Sequence, residues 1–428
     1  MATIIKDLPE LVEHNVISVQ TAADIEKYYA TRVEPQSNVM LTIFGILGGV
    51  LAGLGIILIF AHNWDTFSKT VKTVLAVLPL FVAQGLAGYS ILANKSRVWK
   101  EASAMLLFFA IGSSISLVAQ VYNISGDFPA FLRAWIVLGL PLVYVLNSNA
   151  AAILLLSFTT WYSVQMGFTS GQPYLAVLFI GALMPYYIKV LREDRNSNMA
   201  FTLNWLVPLT AFAVVGAAVN SADGFMLVIF MAFFGLLYII GSLPFFKDLK
   251  RRTGYISFGG LGIIIILLMV STKSMWIEIV GSMDNGYHTP QPLFIAIWAV
   301  LLLAGAVLMF KYKSANFNTG LKWATFLFPV LYAVAMANVV VATILTNLLI
   351  LAFGIIIIRN GINKLDFRTL NFGLSVIAAL TVIRFFDTNV SFVIRGSLFL
   401  IVGIGFFVTN LIVVKRKKEN PNNPTHEN

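Results

Sequence analysis

Long apolar runs separated by short polar breaks set the plan of this chain. Fourteen are read, at about 39–61, 70–93, 102–122, 129–146, 150–167, 172–190, 203–220, 224–246, 254–271, 291–310, 321–337, 338–358, 368–386 and 390–414. Most reach 18 residues or more, enough to cross ~30 Å of hydrocarbon as a helix. The runs are continuous and lack the alternation that membrane barrel strands require. The pattern predicts an all-α polytopic transmembrane helix bundle of about fourteen spans, twelve to fourteen if the short breaks near 148, 170 and 337 do not all divide spans.

Residues 39–414 then form the bundle, preceded by a cytosolic N-terminal helical hairpin over 1–38 and followed by a basic, then polar, tail over 415–428. In the N-terminal segment Leu8, Leu11 and Val12 fall at helical spacing and Val16-Ile17-Ser18 predicts a turn. Thr21-Ala22-Ala23-Asp24 has the form of a capping box before Ile25, Tyr28 and Tyr29. Two short amphipathic helices suit a tether over the inner mouth or a docking point for a cytosolic partner. No cleavable signal is visible there, so the first span is expected to act as its own targeting signal.

Composition agrees with the membrane class. Of the 428 residues 58% are hydrophobic and 11% charged, against about 25% charged in soluble chains. The net charge of +10 changes the picture only through its distribution. With a cytosolic N-terminus, the inner segments hold 23 of the 29 basic residues and the outer loops hold Lys69, Lys72, Arg133 and Lys273. That asymmetry is what the positive-inside rule demands of a multi-pass protein with both termini in the cytosol. The tail Lys415-Arg416-Lys417-Lys418 therefore reads as a stop signal drawn to anionic lipid, and nucleic acid is excluded as a partner.

Cysteine is absent, and His14, His62, His288 and His426 are scattered. No disulfide framework, metal cluster or cofactor is expected. No protease, kinase or redox motif appears. The first span carries Gly45, Gly49 and Gly53 at four-residue spacing, a stripe that lets a neighbouring helix approach closely. Gln84, Gln165, Asn204 and Asn347 are candidates for bonds between helices.

The unusual polar residues collect on the outer side. Arg384 and Arg395 stand in apolar runs, where a charge at bilayer depth costs about 2.5–3.5 kcal/mol on insertion scales. Asp387 is the nearest partner in sequence. Asn63-Trp64-Asp65 closes the first hairpin, Gln120 and Tyr122 end the third span, and Asp127 and Arg133 open the fourth. The functional reading is an outer-face cluster that binds an anionic lipid headgroup, carboxylate or phosphate through bidentate guanidinium forks. Plainer readings stay open. Trp64 and Tyr122 suit an interfacial aromatic belt, Asp65 suits a helix cap, and Gly126-Asp127 suits a turn. Arg384 and Arg395 suit snorkelling, or pairing with Asp387 to hold the last hairpin.

Taken together, Ala61-His62-Asn63-Trp64-Asp65 after a glycine-striped span and Gln120-Val121-Tyr122 before Ser125-Gly126-Asp127 resemble a bacterial family of predicted membrane proteins classed as a domain of unknown function. Asn371-Phe372-Gly373, Arg384-Phe385-Phe386-Asp387 and Arg395-Gly396 resemble that family's ending. The resemblance implies a bacterial cytoplasmic membrane location and brings no activity with it. Three functions remain open: a transporter or lipid or polymer flippase, a non-catalytic scaffold or sensor, and an outer-face transferase using a lipid-linked donor. In the last, Asp65 acts as base or metal partner and Arg384 or Arg395 holds a pyrophosphate.

Overall fold

The architecture is that of a computed structural model, which describes residues 8–31 apart from 10 and 15, 64–284 apart from 170, 172, 248 and 250, 291–312, 320–386 and 392–419. Among these residues every regular element is helical. The chain divides into two compact units, Met1–Leu75 and Ala76–Asn428.

In the first unit, α1 spans Val19–Thr31. The amides of Val16 and Ile17 return to the Leu11 carbonyl at 2.9 and 3.3 Å, which makes the expected turn. The cap is Ser18 and not Thr21: the Ser18 hydroxyl accepts from the Thr21 amide at 3.1 Å and pairs with its hydroxyl at 2.8 Å. Thr21 thus lies inside the first turn. A single 3-10 turn, Trp64–Thr66, precedes α2 (Lys69–Leu92), which runs on into the second unit.

The second unit is a helix bundle with two large apolar cores and a small third one around Leu370 and Leu374. Its first part continues with α3 (Arg97–Tyr122), α4 (Phe128–Val145), α5 (Asn149–Phe168), α6 (Tyr174–Glu193) and α7 (Asn198–Ala218). Their shared core includes Phe108, Leu132, Ile136, Leu155 and Leu156, all essentially inaccessible. Three of the short polar breaks between these helices supply a side-chain cap. Asp127, Ser148 and Ser197 accept the amides of Ala130, Ala151 and Ala200.

The second part holds α8 (Met226–Gly241), α9 (Gly254–Met269), α10 (Lys273–Asp284), α11 (Pro292–Lys311), α12 (Ala324–Ala337), α13 (Val339–Lys364), α14 (Phe367–Phe385) and α15 (Phe392–Glu419). Apolar on every side and mostly buried, α8 lies at its centre and packs on α9, α11 and α12. Backbones meet closely at glycine. A Cβ at Gly259 would fall 2.5 Å from the Tyr238 nitrogen, and one at Gly361 would fall 2.5 Å from the Leu370 nitrogen. The glycine stripe expected at 45–53 lies outside the described residues.

Every expected run from 70–93 to 390–414 coincides with a helix. Among the described residues ten helices are long and apolar enough to cross a membrane, or eleven if one bent pair counts as a single span. The difference from fourteen has three sources. The run 39–61 lies outside the described residues, α8 has only 16 residues, and α15 counts only through its shorter apolar stretch Phe399–Thr409. The bent pair is α9 and α10, which meet at 91°.

Candidate functional site at a broken helix

The run expected as one span at 254–271 ends where α9 stops, and the chain turns sharply into α10 through Val270-Ser271-Thr272. Such a break frees backbone carbonyls, and at a buried residue such as Ser271 the protein must satisfy them itself. Two side chains do so here. Arg384 of α14 donates from Nη2 to the Ser271 carbonyl at 2.7 Å and to the Ser271 hydroxyl at 3.3 Å. Asn347 of α13 donates from Nδ2 to that carbonyl at 2.9 Å and to the Thr343 carbonyl of its own helix at 2.7 Å.

The arrangement also makes electrostatic sense. The C-terminal end of α9 carries the negative end of a helix dipole, where a guanidinium is favourable. Asn347 lies eight residues along α13 from Val339, about 12 Å by helical rise. Arg384 stands in the last turn of α14 and Ser271 just past the end of α9, so the layer is a buried one near the ends of these two helices. An apolar helix can hold a part-buried arginine in its last turn because a carbonyl that also needs a partner stands opposite it.

Around this layer α10 is held by its apolar face. Trp276 is fully buried and stacks on Phe328 with ring centroids 6.0 Å apart. Among the described residues the Trp276 and Trp298 ring nitrogens and the Asn347 Oδ1 are buried without a hydrogen-bond partner. Polar atoms in that condition are rare in folded proteins.

The other residues expected at the site have separate placements. Trp64 is half-buried in the 3-10 turn, with the Lys72 ammonium 5.7 Å from its ring centroid. Asp65 is exposed, and the helix that follows is capped by Ser68, whose hydroxyl accepts from the Val71 amide at 3.4 Å. Gln120 and Tyr122 are exposed at the end of α3. Asp127 caps α4, accepting the Ala130 amide at 2.5 Å, and Arg133 is exposed one turn further on. Asp127 and Arg133 both lie within electrostatic reach of the Tyr162 hydroxyl. They belong to α4, which packs on α3, α5 and α6, whereas Arg384 belongs to α14, which packs on α13, α9 and α15. Asn63, Asp387 and the side chain of Arg395 lie outside the described residues.

Two of the four amides expected to bond between helices do so. Asn347 is one. The other is Asn204, whose Oδ1 accepts from the Tyr187 hydroxyl at 2.5 Å deep between α6 and α7. Gln84 is exposed and Gln165 half-buried.

A second polar node, at the opposite end of the bundle, is absent from the sequence reading. The Glu101 carboxylate of α3 accepts from the Ser148 hydroxyl at 2.5 Å and from the amides of Asn149 and Ala150, both at 2.9 Å. It covers the N-terminus of α5, where a carboxylate is doubly favoured by open N–H groups and by the dipole. Arg97 approaches the same carboxylate at 3.7 Å. Beside it, a cavity of about 400 Å³ is lined in part by Asn147, Tyr186, Lys189 and Glu193. The i, i+4 spacing of Arg97 and Glu101 is legible in sequence. Their target, 47 to 49 residues later, is not.

Residues 9–152 match the model of a family described as a predicted membrane protein (DUF2157). The match agrees with the resemblance read from the first third of the chain. No curated protein and no solved structure matches the chain.

Proposed function

We propose that this multi-pass membrane protein is a transporter or flippase for a lipid or lipid-linked polymer, with the α9–α10 break as its moving part. One observation carries the reading: the chain bends by 91° between α9 and α10 at the buried Ser271, whose carbonyl is held by Arg384 and Asn347 from other helices. Broken helices at bilayer depth recur where carriers place substrate sites, because unwound backbone offers polar groups without extra side chains. Releasing Arg384 from Ser271 frees a cation and a carbonyl together, which suits alternate engagement of an anionic headgroup. Of the outer-face residues, Arg384 and Arg395 are the candidate contacts for that headgroup. The proposed location is the bacterial cytoplasmic membrane, with both termini in the cytosol.

The test compares envelope lipids and exported polymers in cells with and without the protein, and in cells carrying Arg384→Gln at equal protein abundance. Transport predicts that one lipid-linked species accumulates in the deletion and in the variant. Unchanged lipid and polymer profiles in both strains overturn it. Because the chain has no native cysteine, orientation is tested by labelling single introduced cysteines from outside the cell. Position 63 should react and position 418 should not.

A specific observation favours a second reading, a non-catalytic scaffold or sensor. The groups that Arg384 and Asn347 engage at the break are backbone carbonyls and the Ser271 hydroxyl, and that use is structural. On this reading residues 1–38 recruit a cytosolic partner, and the Arg384 variant falls in abundance without any lipid change.

A further inference from the structure

A cavity of about 430 Å³ opens at the end of the bundle where α7, α9 and α14 begin and α8 and α13 end. This is the same end that carries Lys95, Arg97 and the other basic loop residues, and it lies opposite the Arg384 layer. Its walls differ with depth. Ile357 and Leu261 line it seven residues in from Lys364 and Gly254, about 10 Å below the helix ends by helical rise. Trp205 and Phe372 complete that apolar stretch. Leu261 remains about half exposed, so the stretch is uncovered within the chain.

The mouth is polar and cationic. Arg252 and Lys364 both line it, and both are exposed. Among the described residues neither side chain makes an ion pair or a hydrogen bond. The one carboxylate present, Asp366, is engaged in capping α14: it accepts from the Arg368 amide at 3.0 Å and from the Thr369 hydroxyl at 2.6 Å. Two uncommitted cations thus stand over an apolar slot that begins at the helix ends and runs toward mid-membrane.

We infer that this groove binds one anionic glycerophospholipid, with its phosphate between Arg252 and Lys364 and an acyl chain along Trp205, Leu261 and Phe372. Charge complementarity selects the headgroup, because two unpaired cations favour a phosphate carrying net negative charge over a zwitterion. The sharp change from cationic mouth to apolar wall selects an amphiphile over a soluble anion. Position selects a bilayer lipid, since the slot lies at the end of the spans, where headgroups are. The inference stands whether or not the protein transports anything.

The full-length protein in detergent is examined by native mass spectrometry after exchange with phosphatidylglycerol or phosphatidylcholine. Phosphatidylglycerol should be retained about tenfold or more over phosphatidylcholine, the order that two surface cations supply. The Arg252→Gln/Lys364→Gln double variant should lose that preference while still binding both lipids weakly. Leu261→Trp, which fills the slot, should lose bound lipid of either kind. Glycerol phosphate at millimolar concentration should leave the lipid in place. Equal retention of the two lipids by the unmodified protein overturns the inference, as does displacement by glycerol phosphate or an unchanged preference in both variants. A readout on the unmodified protein covers the case in which a variant fails to fold. Photoactivatable phosphatidylglycerol should crosslink within 252–261 and 357–372, and crosslinks confined to other segments overturn the assignment.

Discussion

The helices α2–α7 and the helices α8–α14 are drawn from the same apolar stock, yet they deal with backbone polar groups in different ways. In the first set the helices are unbroken, Asp127, Ser148, Ser197 and the Glu101 carboxylate hold helix ends, and the polar side chains inside pair between helices, Asn204 with Tyr187 and Thr160 with Thr210. Its middle is filled by rings, with Trp135 4.5 Å from Phe158 and 5.5 Å from Phe108 between centroids. In the second set backbones touch at glycine, one helix is broken, and polar groups are carried into the interior. The first set pairs its interior polar side chains with one another, whereas the second uses Arg384 and Asn347 to hold a backbone carbonyl at a helix break.

The comparison is broken most severely at the glycine contacts. Gly259→Leu would drive a side chain into the α8 backbone, and the cost is about 3 kcal/mol or more. Monodisperse protein should be lost on detergent size exclusion, whereas Gly181→Leu, at a position with open space, should elute normally. Next comes the broken helix. Arg384→Ala removes the charged one of the two donors on the Ser271 carbonyl, leaving Asn347, and should cost about 2 kcal/mol. Thermal unfolding followed by circular dichroism should show the loss, with Arg384→Lys recovering part of it as a single-point donor. If Arg384→Ala melts with the unmodified protein, the break is not held by this contact.

Glu101→Ala opens two amides and a hydroxyl at the start of α5 and should cost about 2 kcal/mol. Hydrogen exchange should quicken at Asn149 and Ala150 and remain unchanged near Ser271. The smallest effect expected is at Asp127→Ala, about 1 kcal/mol for one lost cap. Exchange confined to Ala130 and its neighbours would mark Asp127 as a structural residue. Wider changes, reaching Arg133 and Tyr162, would mark a shared polar cluster there.

Legibility follows the same division. The first set is close to what the residues announce: Ser148 and Ser197 are ordinary capping residues, and the polar break near 148 ends one helix and begins another. In the second set the sequence points to Arg384 and Asn347 as residues needing explanation, and Asn347 does bond between helices. It does not point to Ser271. A backbone carbonyl has no side-chain signature, and Ser271-Thr272-Lys273-Ser274 reads as the start of an outer loop rather than as a break within the bundle. Asp387, three residues from Arg384, lies outside the described residues, and the partner seen at Ser271 is 113 residues earlier in the chain. Local spacing ranks only near neighbours as candidates, and packing brings distant ones within reach.

Hydrophobic run length, charge asymmetry and cap residues belong to the chain alone, since each is set by a transfer cost or a hydrogen bond within a few residues. From these the membrane class, the all-helical fold and the position of nearly every helix follow. Which carbonyl receives an arginine, which helix end receives Glu101, and where a cationic mouth meets an apolar slot depend on contacts between segments far apart in sequence. Only the packed bundle decides those, because an arginine inside it has few partners and packing determines which of them lie within reach.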